Sequence, residues 1–424
     1  MADEKNKLNK ARGFEKTKGA TDYFPEEKQI QETVFASFKD TAKSYGFSMV
    51  EPPVIESLSL LSAKSGPEIK EQIFTLDKRS KEELGLRFEY TAGAARMLVN
   101  RQKALQKPVR WFSIGRVWRY ERPQAGRDRE FYQFNAEIYG SGNPEADAEV
   151  ISLAIDSLKS TGLSEKDFIV KINSRKLLFG LLSGIVKENQ IEDVIRVIDK
   201  KAKIPPQEFE QELGFLKKEQ LKKICCLLEL GFEELKPKNM NNAAKEGYYE
   251  LKEIFSYLQK KCIIFDICTV RGLAYYTGTV FEIFDSKGKF RSLCGGGRYD
   301  KMIEIFGGQS MPATGFGIGY STVYLLLKEK NLVPAPDFSV DYFVAVADES
   351  ARADAVRIAS ELRKNNSVLM DLMRRSLAKQ LKYADSIGAR KVVFVGPDEL
   401  KAKKAKVKDM ASGKESYIPI KNPQ

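Results

Sequence analysis

The 424-residue sequence contains no histidine. Imidazole is the commonest general base near neutral pH and the commonest metal ligand, so histidine-based catalytic triads and most zinc sites are excluded together. Chemistry must fall instead to carboxylates, arginine, lysine, tyrosine or the groups of a bound substrate. Cysteine is scarce: Cys225, Cys226, Cys262, Cys268 and Cys294 show no C-x-x-C spacing, which speaks against a metal clip and a disulfide framework alike. No apolar run is long enough to cross a bilayer and no apolar leader is visible, so a reduced, cytoplasmic protein without membrane attachment is expected. Positive charge is what the chain has in excess. A formal net charge of +12 and a pI near 9.2 point to a polyanionic partner, nucleic acid first.

The length allows two or three domains with buried cores. Residues 1–18, lysine-rich and poor in apolar positions, form a basic tail. Residues 19–173 alternate helical stretches, such as Gln29 to Tyr45, with strand-like runs. A helix is predicted to open near Pro144, with Val150, Ile151, Ala154, Ile155 and Leu158 on its apolar face and a stop at Gly162. Residues 174–260 are almost wholly helical in pattern and interrupt the strand-rich part as an inserted domain. Strands resume in 261–330, where GFGIGYSTVYLLLKEK is taken as a helix. Residues 331–339 are a proline-bearing linker, and 340–424 alternate strand and helix as a small parallel α/β domain does. The run KAKKAKVK, Lys401 to Lys408, is expected to be a solvated edge, with RNA contact as the other reading.

The stretch WFSIGRVWRYERPQAGRDREFYQFNAEIYG, Trp111 to Gly140, has polar residues where a core would not want them. Taken as two strands around a turn, it puts Phe131, Gln133, Asn135 and Glu137 on one face and Tyr132, Phe134, Ala136 and Ile138 on the other. Arg119 and Glu121 share a side of the first strand, and Arg122, Arg127 and Arg129 crowd the tip with Pro123 and Gly126. Guanidinium groups, carboxylates and one aromatic on a common surface suit a phosphate-bearing ligand with a flat ring. A solvated hairpin laced with ion pairs is the alternative.

WRYERPQAGRDREFYQFNAEIYG resembles motif 2 of the class II aminoacyl-tRNA synthetases in its histidyl form, archaeal versions above all. Further segments stand in the family's order. KGATDYFP (Lys18 to Pro25) resembles its opening, YGFSMVEPPVIE (Tyr45 to Glu56) its motif 1 and LRFEYTAGAARM (Leu86 to Met97) its amino-acid-binding loop. VRGLAYYTGTVFE (Val270 to Glu282) and CGGGRYD (Cys294 to Asp300) resemble segments peculiar to the histidine enzyme, and RRSLAKQLKYADSIGAR (Arg374 to Arg390) a helix of its anticodon-binding domain.

The resemblance implies an α+β protein: an antiparallel-sheet catalytic domain of class II type, a helical insertion and a C-terminal α/β anticodon-binding domain. It implies ATP-dependent activation of L-histidine and transfer to tRNA(His), with Arg119 and Arg271 catalytic. Arg119, Glu121, Arg127 and Phe131 would bind ATP, and Glu121 a Mg2+ ion. Glu89, Thr91, Gln133, Glu137, Arg271, Tyr275, Tyr276 and Tyr299 would bind histidine. Gln124 and Arg129 would meet the tRNA acceptor end, and Pro53 would lie at a homodimer interface. A plain ion pair is the rival reading of Arg271, and a core position that of Phe131. The chain departs from the family pattern at Ser321 and Thr322, where motif 3 has a Glu-Arg pair, and at Ala274, Phe88 and Tyr90. Loss of the motif 3 arginine removes a cation from the triphosphate site. Two other activities are compatible with the resemblance: a catalytically silent paralogue, such as the regulatory subunit of ATP phosphoribosyltransferase, and a tRNA-sensing RNA-binding module.

Overall fold

A computed structural model describes residues 16–63, 71–77, 81–271 and 275–420. The chain folds as two compact units, Met1–Pro334 and Ala335–Gln424. Strands of the first unit are β1 (Ser48–Met49), β2 (Ile55–Ser57), β3 (Leu84–Leu86), β4 (Val109–Trp118), β5 (Glu130–Tyr139), β6 (Phe168–Ser174), β7 (Ile263–Phe265), β8 (Thr279–Asp285), β9 (Cys294–Arg298) and β10 (Ala313–Gly319). Eight of them form one sheet in the order β1-β4-β5-β10-β9-β8-β6-β7, while β2 and β3 pair separately. Neighbours run antiparallel from β4 through β6, and only the short outer strands β1 and β7 add parallel.

One face of this sheet is packed by three helices, Pro25–Ser44, Pro144–Ser160 and Asn242–Leu258. Phe38, Ile151 and Ile254 from those helices meet Phe112, Phe134 and Phe281 from the strands, all essentially buried. Truncating one such phenylalanine to alanine costs about 3–5 kcal/mol. The Pro144–Ser160 helix starts where its sequence demands: extended Asn143 precedes proline in the first turn, with Glu145 and Asp147 at the positive end of the helix dipole. Gly162, at φ 97, ends the segment.

The helical stretch after β6 serves two cores. Helices Arg175–Leu182 and Asn242–Leu258 pack together, sending Leu177, Ala244 and Leu251 to the sheet's core. Ile191, Val194 and Ile195 of the Glu188–Ile198 helix instead gather with Phe209, Leu213 and Ile224 in a second core, reached from the first unit's chain by Ile267 and Val270.

Two sequence-based expectations change. GFGIG is the strand β10, and only Tyr320–Glu329 is helix. Its glycines alternate with Phe316 and Ile318, a period of two that hydropathy conceals because glycine registers on neither side. In the second unit β11 (Tyr342–Val346), β12 (Val368–Met370), β13 (Lys391–Val395), β14 (Lys404–Asp409) and β15 (Glu415–Pro419) form a sheet in the order β12-β11-β13-β14-β15. The lysine run therefore supplies an interior strand: Ala405 and Val407 point to the core and β15 covers the edge. The parallel part, β12-β11-β13, is as the sequence predicts.

Candidate active site

On the sheet face opposite the helices lies a cleft of about 300 Å³, floored by β5, β9 and β10. The β4–β5 register runs from Val109 opposite Tyr139 to Trp118 opposite Glu130. Phe131, Gln133 and Asn135 consequently face the cleft, while Phe134, Ala136 and Ile138 enter the core. Polar side chains can lie flat on this floor because glycine gives them room. A Cβ on Gly295 would fall 1.4 Å from Arg271 Nη1, one on Gly315 2.5 Å from Tyr299 Oη, and one on Gly317 2.6 Å from Gln133 Nε2.

The arginines converge from separate elements. Arg119, just past β4, donates from Nε to the Phe88 carbonyl at 3.0 Å and lies 5.2 Å from the centre of the Phe131 ring. Arg271 adopts a left-handed backbone, φ 52, and its Nη1 donates to Glu282 Oε1 at 2.9 Å. Arg127, on the hairpin tip, pairs with Glu121. Burial pulls the pKa of Arg119 down, with Arg271 adding to it and Glu89 opposing. Burial works against Arg271 too, but Tyr276, Glu282 and Tyr275 outweigh it and raise its pKa. Guanidinium stays ionised through either shift, so Arg119 and Arg271 bring fixed positive charge and N–H donors that suit an anionic group into a cleft also lined by Glu89, Glu121 and Asp128.

The deeper end is built from hydroxyls, amides and carboxylates. Glu89 and Thr91 line it from the start of the Thr91–Arg101 helix. The rings of Tyr275, Tyr276 and Tyr299 cluster, with centroids 4.6 Å and 5.9 Å from Tyr275 to the other two. Burial pushes the phenols of Tyr275 and Tyr299 up, so both keep their protons at neutral pH. Glu137 sits beneath, accepting from Tyr139 Oη at 3.0 Å. Gln133 Oε1, Asn135 Oδ1 and Tyr299 Oη are buried with no hydrogen-bond partner among the described residues. Each such group costs about 1–3 kcal/mol, an arrangement expected where a ligand completes the bonding.

Glu89, Thr91, Arg119, Glu121, Arg127, Phe131, Gln133, Arg271, Tyr275, Tyr276 and Tyr299 all line this one cleft. Glu137 is buried against Gly315, directly under it. Gln124 and Arg129 lie outside, on the hairpin tip: Gln124 pairs across the turn with Arg127, and Arg129 stacks 4.3 Å over exposed Tyr120. Pro53 is exposed on the segment after β1. Sequence reasoning assigned no role to Asn135, Asp128 or Arg291, which also line the cleft. Asn135 could have been found from its parity with Gln133; Arg291 offers no such signal.

Three of the departures acquire physical reasons. Tyr90 fills the space left by Gly115, whose Cβ would fall 2.2 Å from its hydroxyl, and it accepts from Arg87 Nη2 at 2.9 Å. Phe88 is buried with Leu61 and Ile73 and presents its carbonyl to Arg119. Ser321 donates to Asp128 at 3.1 Å, tying the Tyr320–Glu329 helix to the hairpin tip. Ala274 lies outside the described residues.

The family model described as histidyl-tRNA synthetase matches residues 19–323, and that described as anticodon binding domain matches 341–422. The chain belongs to the histidyl-tRNA synthetase family. It is 36% identical to the histidine–tRNA ligase of Haloarcula marismortui, covering 96% of each chain, and 39% identical to that of Natronomonas pharaonis with the same coverage. The chloroplastic/mitochondrial histidine–tRNA ligase of Arabidopsis thaliana is 37% identical over 95% of this chain and 84% of that one. A solved histidyl-tRNA synthetase from a Nostoc species superposes with a TM-score of 0.78 at 25% identity, covering 96% of this chain and 97% of that one. A Bacillus halodurans structure titled as ATP phosphoribosyltransferase regulatory subunit/histidyl-tRNA synthetase gives 0.76 at 25% identity, with 91% and 99% covered. The eight-stranded, largely antiparallel sheet is thus the class II catalytic fold of the histidyl family, followed by a separate anticodon-binding domain.

Proposed function

We propose that the cleft between Arg119 and Arg271 is where this histidine–tRNA ligase joins L-histidine to ATP and then to tRNA(His). The supporting observation is the meeting of two guanidinium groups, delivered by the β4–β5 hairpin and by the connection before β8, above buried acceptors that lack partners among the described residues. Glu89 and Thr91 receive the α-ammonium group, with Gln133 and Glu137 beside them. Tyr275, Tyr276 and Tyr299 surround the imidazole, because a site built on hydrogen bonds rejects analogues that cannot make them. Phe131 stacks on adenine. Arg119 and Arg271 hold the α-phosphate and the histidine carboxylate.

A carboxylate oxygen of histidine attacks the α-phosphorus, the bond to the β-phosphate oxygen breaks, and pyrophosphate leaves. Charge grows on the α-phosphate oxygens in that step, where fixed guanidinium donors contribute most. A terminal ribose hydroxyl of tRNA then attacks the activated carbonyl carbon, and AMP leaves. The chain has no imidazole to take the hydroxyl proton, so an oxygen of the substrate or a carboxylate accepts it.

Glu121 and Asp128 at the nucleotide end suit a Mg2+ ion, which binds through one or two carboxylates plus phosphates and would neutralise the departing pyrophosphate. Gln124 and Arg129 meet the acceptor end of tRNA, and residues 340–424 read its anticodon, binding that weakens steeply with salt. Pro53 lies at a homodimer interface, a reading supported by the neighbouring exposed apolar side chains of Met49, Val54 and Ile55. The division proposed is a catalytic domain of 19–173 and 261–330, an insertion at 174–260 and a linker at 331–339. The cytoplasm is the proposed setting; no described helix is long and apolar enough to cross a membrane.

Histidine-dependent ATP–pyrophosphate exchange tests the site. Exchange by the parent chain, lost in Arg271→Ala, is the expected result. A flat trace from the parent would favour the silent paralogue.

A further inference from the structure

The nucleotide end of the cleft lacks a cation at Thr322, a buried residue in the first turn of the Tyr320–Glu329 helix. Across the cleft mouth from the hairpin tip stands Arg291, on the β8–β9 connection, lining the same end as Arg127 and Thr322. Arg291 forms no ion pair with any described residue, although Lys289, two positions earlier, pairs with Glu329. Arg291 is exposed, yet it lines the cleft alongside Arg127 rather than standing apart from it. Arg291 and Arg119 both act to lower the pKa of Arg127, after burial.

The connection that presents Arg291 is fixed rather than loose. The buried Asp285 carboxylate accepts from the backbone N–H groups of Lys287, Lys289 and Phe290 at 3.2, 3.0 and 2.8 Å. Ser292 Oγ closes the far side by donating to the Cys294 carbonyl at 2.6 Å. Bracketed between those anchors, the backbone at Arg291 has little freedom. Its like-charged neighbour makes sense if a polyanion fills the space between them.

We propose that Arg291 contacts the outer phosphates of ATP and supplies from the β8–β9 connection the guanidinium that position 322 does not. This rests on the functional reading above, since it needs adenine at Phe131 and the α-phosphate at Arg119, which direct the β- and γ-phosphates to the mouth. One charge-assisted contact of this kind is worth roughly tenfold or more in affinity.

The test compares the parent chain, Arg291→Ala and Lys289→Ala by direct binding of ATP and of AMP, together with the ATP and histidine KM values in exchange. Arg291→Ala should weaken ATP about tenfold or more, leave AMP within about twofold and leave the histidine KM unchanged, with Lys289→Ala matching the parent. Equal losses for ATP and AMP, or an unchanged ATP affinity, would overturn the proposal. A parent that binds ATP but performs no histidine-dependent exchange would instead count against the ligase reading, and the ATP-to-AMP ratio would still decide the role of Arg291.

Discussion

Arg271 and Arg298 each meet a carboxylate at 2.9 Å, Glu282 in one case and Asp147 in the other, yet their remaining N–H groups are used differently. Arg298, on β9, is 3% exposed and spends its donors on the protein: Nε on Asp147, Nη1 on Asp300 and the Ser141 carbonyl, Nη2 on the Asn143 carbonyl. Among the described residues Arg271 donates once, to Glu282, and it lines the cleft from a left-handed backbone. A close acid is common to both, though Arg271 is only partly buried. Hydrogen-bond saturation is what separates a side chain that fastens the β9 end to the loop before the Pro144–Ser160 helix from one whose donors stay open to the cleft.

Replacing each arginine by alanine should break the comparison cleanly if it is mistaken. Arg271→Ala is expected to lower exchange by about 10²–10³ while leaving thermal melting near the parent's. Arg298→Ala strands Asp147 in the interior and should cost about 3–5 kcal/mol, seen as early unfolding in denaturant. An Arg298 variant as stable as the parent would show that saturation does not mark structural roles. Gly295→Ala is the subtler version: the new methyl meets the end of a flexible side chain, so the Arg271 guanidinium must move. Exchange should fall about 10-fold to 100-fold with melting little altered, because misplacement of about 1 Å is enough to lose that much.

Tyr299→Phe sharpens the contrast from the other side. Its hydroxyl is buried without a partner among the described residues, so removal should leave the protein without histidine as stable or up to about 1 kcal/mol more stable, while the histidine KM rises roughly tenfold. Loss of stability on removing that hydroxyl would mean it is already satisfied. The smallest effect concerns Asp167, whose pKa stands at about 2: burial would raise it, but hydrogen bonds from Lys330 and Ser164 outweigh that. A carboxyl depressed on folding stabilises above its ordinary range near 4, and the contribution is lost as pH falls toward 2. Lys330→Ala should therefore cost about 1 kcal/mol at neutral pH, a cost that shrinks as pH falls through about 2, read from urea unfolding at each pH.

Strand parity made the hairpin legible. Phe131 and Gln133 reach the cleft and Phe134 the core because side chains on a strand must alternate, and the arginine-rich tip already demanded an anion. β10 was hidden for the opposite reason, since the residues that clear space for Tyr299 and Gln133 are glycines, visible only once their neighbours are known. β14 was concealed by lysines that outnumber the two inward positions, Ala405 and Val407. Arg291 is set in place by Asp285, six residues earlier, through backbone bonds that no side-chain pattern encodes.

The unfilled acceptors at the cleft floor also tie folding to nutrition. Gln133 Oε1, Asn135 Oδ1 and Tyr299 Oη are buried without partners among the described residues, and a bound molecule that satisfied them would shift the balance toward the native chain by mass action. Melting temperature should climb with added histidine, steadily and past saturation of catalysis, so the working lifetime of this protein would follow the supply of the amino acid it consumes. A melting curve indifferent to histidine would dissolve that link.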